Sequence, residues 1–432
     1  MTRFLSLMVA LLWAGLAIAQ DDDRGLIIGF LEDQLSDAGR DIRIEGFRGS
    51  LTGRAEMDQL TIADDTGIWL TLRGAVLDWN QGAILSGRVE VEQLTAEELI
   101  LARIPSTASS STPDAEATPF RLPELPVSVA IAQMGIDRVD LSSSVVGEPV
   151  VLQVDGALSL ASGAGAAKLS LHRTDVIEGS FTLDGAFDNQ TDILRLMVAL
   201  EEPENGITSR LVGIPGRPSV SASIAGEGPL DDFTADLALA TDGEDRLTGQ
   251  VTLGPSTFNA QLGGDVTALV LPDYQEFFGP EVSLVASGAR DPDGTVTLED
   301  LTLEAAHVAL AGQAAFASSG LPLSFDISGQ IKDPGGEPVL LPISDQRAFL
   351  REGRFRADYD AAAGEAWEAE INAFGLEPND DAFFGQISLA AEGTLSPPDD
   401  TPSVTAVLDF RTTGLRLADD ALQQALGEIV TG

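Results

Sequence analysis

Apolar side chains at every second position are the feature that most limits what this chain can fold into. Ile42 and Ile44 alternate with charged residues, and Ile68, Leu70 and Leu72, then Ala75, Leu77 and Trp79, then Val89 and Val91 repeat the pattern. After residue 119 it resumes and hardly stops. Val127, Val129 and Ile131 share a face, as do Val150, Leu152 and Val154, then Leu169 and Leu171, Phe181 and Leu183, and Leu194, Leu196, Val198 and Leu200. The series runs on through Val220 and Ile224, Phe233, Leu237 and Leu239, Leu298, Leu301 and Leu303, and Ile387 and Leu389, to Val404, Leu408 and Phe410. A period of two places successive side chains on opposite faces of a strand, so these runs read as half-buried strands. The 44 glycines and 22 prolines read as turn punctuation between them. No long helix interrupts the series; short helical turns are expected around Tyr274–Phe278 and Asp419–Leu426.

A strand with one apolar face must hide it by pairing sheets, closing a barrel or curling into a trough. A compact sandwich of this size needs bulky core anchors, yet aromatics are only 6 % and the apolar faces are mostly Val, Leu, Ile and Ala. Small aliphatic faces suit a narrow curled sheet. The expected fold class is therefore mainly β: a long, curled, repetitive sheet forming a groove, preceded by an N-terminal hydrophobic helix. About 25 strands at ~4.8 Å would make a rod of ~120 Å. A weak repeat supports stacked growth: Leu269-Val270-Leu271-Pro272-Asp273 leads to Phe278-Gly279, and Leu415-Arg416-Leu417-Ala418-Asp419 leads to Leu426-Gly427. The candidate groove lining is Val127, Val129, Ile131, Val150, Leu152, Val154, Leu169, Leu171, Phe181, Leu183, Leu194, Leu196 and Val198.

Composition narrows the chemistry. Lys+Arg is 25 against Asp+Glu 68, a net charge of −43, which repels phosphate backbones, so no nucleic-acid partner is expected. Neither lysine, Lys168 or Lys332, follows a glycine, which excludes a Walker-type phosphate loop. There is no cysteine, and the histidines are His172 and His307, too few for most imidazole metal sites. Hydrophobic residues at 44 % are too many for a disordered acidic chain. A non-enzymatic protein is expected, with no catalytic residue, no metal ligand and no cofactor assigned.

The amino terminus reads as an export segment. Arg3 precedes an apolar run from Phe4 to Ala19 that includes Leu5, Leu11, Leu12, Trp13 and Ile18, the candidate membrane segment. Ala17-Ile18-Ala19 before Gln20 and the acids Asp21–Asp23 has the form of a signal-peptidase site, and cleaved and anchored fates both stay open. Residues 24–40 show the 3–4 spacing of a short amphipathic helix. The expected organisation is a signal peptide or anchor (1–23), an amphipathic helix plus β unit (24–104), a Pro/Ser/Thr linker (105–119) and a repetitive β-groove (120–432).

Ile42-Arg43-Ile44-Glu45-Gly46-Phe47-Arg48-Gly49-Ser50-Leu51, then Leu60-Thr61-Ile62-Ala63-Asp64, Gly67-Ile68-Trp69-Leu70-Thr71-Leu72 and Leu77-Asp78-Trp79, together form an ordered series. With Gly87-Arg88-Val89, Leu94 and Leu122-Pro123-Glu124-Leu125-Pro126-Val127, it resembles the amino-terminal portion of the TamB family, the inner-membrane subunit of the translocation and assembly module within the AsmA-like group. The resemblance covers the export segment and residues 40–160, and the rest by repeat style alone. It implies a curled β-rod in the periplasm, attached to the inner membrane if the export segment is kept. It implies movement of phospholipid between the inner and outer membranes, with acyl chains on the apolar face, and support of outer-membrane protein assembly and secretion with a barrel partner. The family normally carries a further large β-domain, whereas this chain stops at Thr431-Gly432 after a repeat-like start. Truncation at the carboxyl end is expected on that basis, which puts direct engagement of the barrel partner in doubt.

Two other readings stand beside the conduit: a structural factor acting by β-augmentation, and a carbohydrate-active β-solenoid. Asp291-Pro292-Asp293-Gly294 lacks the later ligands of a calcium loop and reads as a turn. His172 and His307 read as surface or edge residues, and Trp69 and Trp79 as packing.

Overall fold

The structure, a computed structural model, describes residues 41–49, 53–84, 86–105, 121–124, 127–343, 347–395 and 403–432. The export segment with Phe4, Leu5, Leu11, Leu12, Trp13 and Ile18, the helix expected over 24–40, and residues 106–119 of the linker lie outside the described residues. Among the described residues no helix is long and apolar enough to cross a membrane. The chain is mainly β and divides into two compact units, one ending at Ile207 and one running from Thr208 to Gly432. The sequence placed its main division at the linker instead. Strands on either side of the linker pair directly with each other, which is why the first unit continues past it.

The first unit contains β1 (Asp41–Glu45), β2 (Arg48–Gly49), β3 (Ala55–Asp64), β4 (Gly67–Asn80) and β5 (Arg88–Leu101) before the linker. After it come β6 (Ser128–Leu141), β7 (Val150–Ala161), β8 (Ala164–Arg173), β9 (Gly179–Asp188) and β10 (Ile193–Glu202). From β3 to β10 each strand pairs with the next; all pairs are antiparallel except β5–β6, which is parallel. A parallel pair needs a long crossover, and the linker provides it. Its ends are fastened. Arg103, just past β5, donates to the Asp64 carboxylate at the end of β3 and to Gly67 O at 2.7 Å. On return, Leu122 is held like a ladder residue by the Asn189 side chain, which accepts from its N–H and donates to its C=O, both at 2.8 Å.

The second unit contains β11 (Val220–Pro229), β12 (Phe233–Thr241), β13 (Glu244–Leu253), β14 (Thr257–Gly264), β15 (Val282–Arg290), β16 (Val296–Glu304), β17 (Val308–Phe316) and β18 (Pro322–Lys332). These are followed by β19 (Val339–Leu340), β20 (Phe349–Asp360), β21 (Ala366–Asn379), β22 (Ala382–Leu395), β23 (Val404–Thr413), β24 (Arg416–Leu417) and β25 (Ile429–Thr431). Apart from the short β19 and β24, it is an antiparallel meander from β11 to β23.

Local chemistry makes the hairpins. Ser162-Gly163 between β7 and β8 and Asp242-Gly243 between β12 and β13 both have positive φ at each residue, the backbone of a two-residue turn that matches strand twist. Asp291–Gly294 is a turn closed by Gly294 N–H on Asp291 O.

The repeated segments have the same local build. α1 (Gln275–Phe278) and α2 (Asp420–Leu426) each end on a glycine of positive φ, Gly279 and Gly427, whose N–H bonds Gln275 O and Gln423 O. Asp419 caps α2 by accepting from Ala421 and Leu422 N–H. After the glycine, β15 pairs back on β14, and β25 pairs back on β23. Phe277 of α1 packs with Val339, Leu341, Ala348, Leu350 and Ala373 in the main buried cluster of this unit.

Candidate functional site

Register fixes which side chains share a face, because directly opposed residues point the same way. In the first unit one line across the strands reads Ala55, Leu77, Leu94, Met134, Gly156, Leu169, Leu183, Val198, without a polar residue. A neighbouring line on the opposite face reads Thr95, Gly135, Asp155, Ser170, Thr182, Ala199. The second unit extends the rule over more strands. Ile224, Leu237, Gly249, Leu262, Leu284 and Leu303 align, and the line continues through Leu310, Gly329, Phe355, Ile371, Leu389 and Phe410. Each unit thus has one apolar and one polar face.

All the candidate lining residues within strands fall on the apolar face of the first unit. Val129 and Ile131 on β6, Val150, Leu152 and Val154 on β7, Leu169 and Leu171 on β8, Phe181 and Leu183 on β9, and Leu194, Leu196 and Val198 on β10 are linked by direct opposition or by strand parity. They do not share one environment. Val129 and Ile131 are buried with Val89 and Val91 in a packed cluster that Val127, Leu77 and Trp79 cover, and Val150 is 1 % exposed. Those three are core and offer no surface; for Val129 and Ile131 the parallel β5–β6 pair is the cause, setting two branched faces side by side. From Leu152 to Val198 the remaining residues are partly exposed, neither sealed nor free. In the second unit, Ile371 and Phe410 on the apolar line are 43 % and 38 % exposed.

The sequence reading treated glycine only as turn punctuation, and the structure corrects this. Gly226, Gly249, Gly288, Gly312 and Gly393 lie inside strands on the apolar face of the second unit. At each, a Cβ would fall 1.8 to 2.5 Å from a carbonyl oxygen of the next strand: Thr234, Gln261, Thr297, Asp326 or Thr405. The adjoining backbone therefore leans toward the apolar side and takes the volume of the missing side chain. Gly within a strand marks this kind of bend. Neighbouring rings use the same gaps: a Cβ at Gly329 would lie 2.4 Å from the Phe355 ring. The detectable signal was glycine in phase with the apolar positions.

The polar face of the first unit carries ion pairs. Arg73 donates to Glu98 at 2.6 Å and Lys168 lies 2.9 Å from Asp184 on neighbouring strands, while Arg138 binds Asp140 of its own strand at 2.7 Å. His172 contacts Ser170 Oγ at 2.9 Å there. His307 differs from the surface reading: its Nδ1 is buried, 3.6 Å from the Asp333 carboxylate. Among the described residues no group of three or more His, Cys, Asp or Glu is placed to hold a metal.

One margin of the first unit's apolar face ends on Arg173, whose side chain is 7 % exposed between Asp175 (2.7 Å) and Glu148 (3.3 Å). Burial pushes the Asp175 carboxyl up. The hydrogen bonds from Arg173, Ile177 N–H and Val151 N–H outweigh this and hold it below the usual carboxylate range. The ionised form is thus favoured in the fold. Its contribution to stability is present above the ordinary carboxylate value near ~4 and lost as pH falls through the depressed one. Thermal melts followed by circular dichroism at neutral and acid pH should show Asp175→Asn less stable at neutral pH. Its further loss on acidification should be smaller than that of the parent chain.

Compared with family models, curated proteins and solved structures, the chain matches none of them.

Proposed function

We propose that the chain shields phospholipid acyl chains along the apolar faces of its sheets, as an envelope protein of the periplasm that moves lipid between the inner and outer membranes. The observation that carries this reading is the unbroken apolar line across successive strands, only partly covered and backed by a polar face. A greasy surface that is neither packed shut nor scattered is suited to a hydrocarbon ligand. Exposing an acyl chain to water costs about 0.8 kcal/mol per CH₂, or ~12 kcal/mol for a long chain. Val, Leu, Ile and Phe side chains remove most of that cost without recognising a headgroup, so the ligand can slide. The strand glycines support a trough curled toward the apolar side, and the acidic, hydrogen-bonded outer face keeps it in water. The resemblance of residues 40–160 to the TamB family supports the envelope setting.

Mass spectrometry of an organic extract from the full chain, purified from a bacterial host, tests the reading. Phospholipid is expected at a stoichiometry of about one or more per chain. A lipid-free preparation with an intact β-type circular dichroism spectrum would remove the proposal.

A further inference from the structure

One margin of the first unit's apolar face meets a piece of chain that belongs to no strand. The register Leu160, Gly165, Phe187, Leu194 sets the outermost row of that face across β7, β8, β9 and β10. Leu160 and Phe187 are buried, whereas Leu158, Ala167 and Leu196, one step further in on the same face, are only partly covered. Leu122 lies on the buried row. A Cβ built on Gly165 would fall 2.7 Å from Leu122 Cδ1 and 3.5 Å from Leu160 Cδ1. The Leu122 side chain thus fills the notch that glycine leaves between Leu160 and Phe187.

Residues 121–124 are fastened there by one side chain. The buried Asn189 accepts from Leu122 N–H and donates to its C=O, both at 2.8 Å. Asn189 itself is tied to the turn between β7 and β8 through its own N–H on Gly163 O. Among the described residues, 121–124 make no other hydrogen bond. Pro123 has no N–H with which to extend a ladder. Arg121, Pro123 and Glu124 are exposed, so only Leu122 reaches the face. A segment held by two hydrogen bonds and one half-buried leucine belongs to the low end of local stability, where opening parts are found. What it puts into the notch is aliphatic, the same chemistry that an acyl chain would bring.

We propose that the Gly165 notch is an acyl-chain subsite which the protein keeps for itself: residues 121–124 form a latch, held shut by Asn189, and lipid displaces Leu122 when it takes this margin. The inference rests on the acyl-chain reading above and adds a closed state to it. Closed, the latch shields Leu160 and Phe187 from water while no ligand is present. Open, it lengthens the apolar face by one row. The exchange is close to even, since one aliphatic group replaces another. Its net cost is the Asn189 pair, whose donors and acceptors find water once the segment lifts.

Trypsin reads the latch directly, because it cuts the Arg121–Leu122 bond and the Leu122 N–H is one of the two groups that Asn189 holds. A bond must leave its surroundings to enter a protease, so the rate of this cut in the full chain, followed by mass spectrometry, reports the open population. Asn189→Ala should raise it at least ~10-fold, with the β-type circular dichroism spectrum and the other tryptic cuts unchanged. If Asn189→Ala does not fold, Gly165→Ala asks the same question: its methyl group meets the end of a flexible side chain outside any strand, so Leu122 yields and the sheet stays. In the parent chain, vesicles of phosphatidylethanolamine and phosphatidylglycerol should raise the rate at least ~5-fold, since a ligand that binds the open state also populates it. Unchanged cutting in both variants overturns the latch. A parent rate that stays level or falls as vesicles are added overturns its displacement by lipid. Failure of the transport reading shows elsewhere, as a lipid-free extract, so lipid in the extract with a cut indifferent to vesicles removes the latch alone.

Discussion

Leu152→Asp and Leu196→Asp, made together in the full chain, are expected to cut co-purified phospholipid at least ~10-fold while leaving the β-type circular dichroism spectrum in place. Both positions lie on the apolar face of the first unit and both are partly exposed. An aspartate there can turn its carboxylate toward water, so the fold loses packing but does not bury a charge. A lipid chain lying along the face has no such freedom. It must either leave CH₂ groups exposed at about 0.8 kcal/mol each or bury a carboxylate, which costs several kcal/mol more. Two or three displaced CH₂ groups already exceed the ~1.4 kcal/mol that separates tenfold populations. The opposite face supplies the control. Ile193 and Met197 are the immediate neighbours of this line on β10, turned the other way and 41 % and 50 % exposed. Ile193→Asp with Met197→Asp should leave the lipid content unchanged. Equal loss of lipid from both pairs of variants, or unfolding of the first pair alone, would mean that the apolar face is a core and not a binding surface.

The parity of the sheet was legible in the sequence because a strand has only two faces and the charge pattern says which one is wet. That reasoning assigned Leu169, Leu183 and Val198 to one apolar lining without knowing which strands were neighbours; the register shows that they align. The two short helices of the repeat were legible too, since Asp419 and the terminal glycines are local signals that need no tertiary context, whereas those at Gln81–Ile84, Ser143–Val146 and Ile207–Val212 were not anticipated. The parallel pairing of β5 with β6 was not. Two strands flanking a linker look the same in sequence whether they pair or part, and only the register of Val89 on Val129 and Val91 on Ile131 distinguishes the cases. The burial of Val129 and Ile131 follows from that pairing and was invisible for the same reason. Bending was missed because Gly249 or Gly312 inside an alternating run reads as a weak point, not as the place where a neighbouring carbonyl sits.

Gly288→Ala is expected to destabilise the second unit by about 3 kcal/mol, at the upper end of overpacking costs, and to lower its melting midpoint by roughly 6–12 °C. The added Cβ would fall 1.9 Å from Thr297 O and 2.9 Å from its carbonyl carbon. These are backbone atoms of β16 held in the β15–β16 ladder, so relief requires the two strands to part or the bend to open. Trimming the nearest side chain should not help: Phe258 is the third neighbour, at 3.0 Å, and Phe258→Leu leaves the carbonyl where it is. Gly185→Ala in the first unit is the counter-case. It also lies inside a strand on an apolar face, but its nearest neighbour is Leu183 Cδ2 at 3.8 Å, an ordinary contact. There the methyl group restricts the unfolded chain at no steric cost, and the variant should gain about 0.4–1 kcal/mol. Opposite signs for the same chemical change, read by thermal denaturation, would tie glycine in this protein to the bending of the sheet. Matching signs would show that the close carbonyls do not shape it.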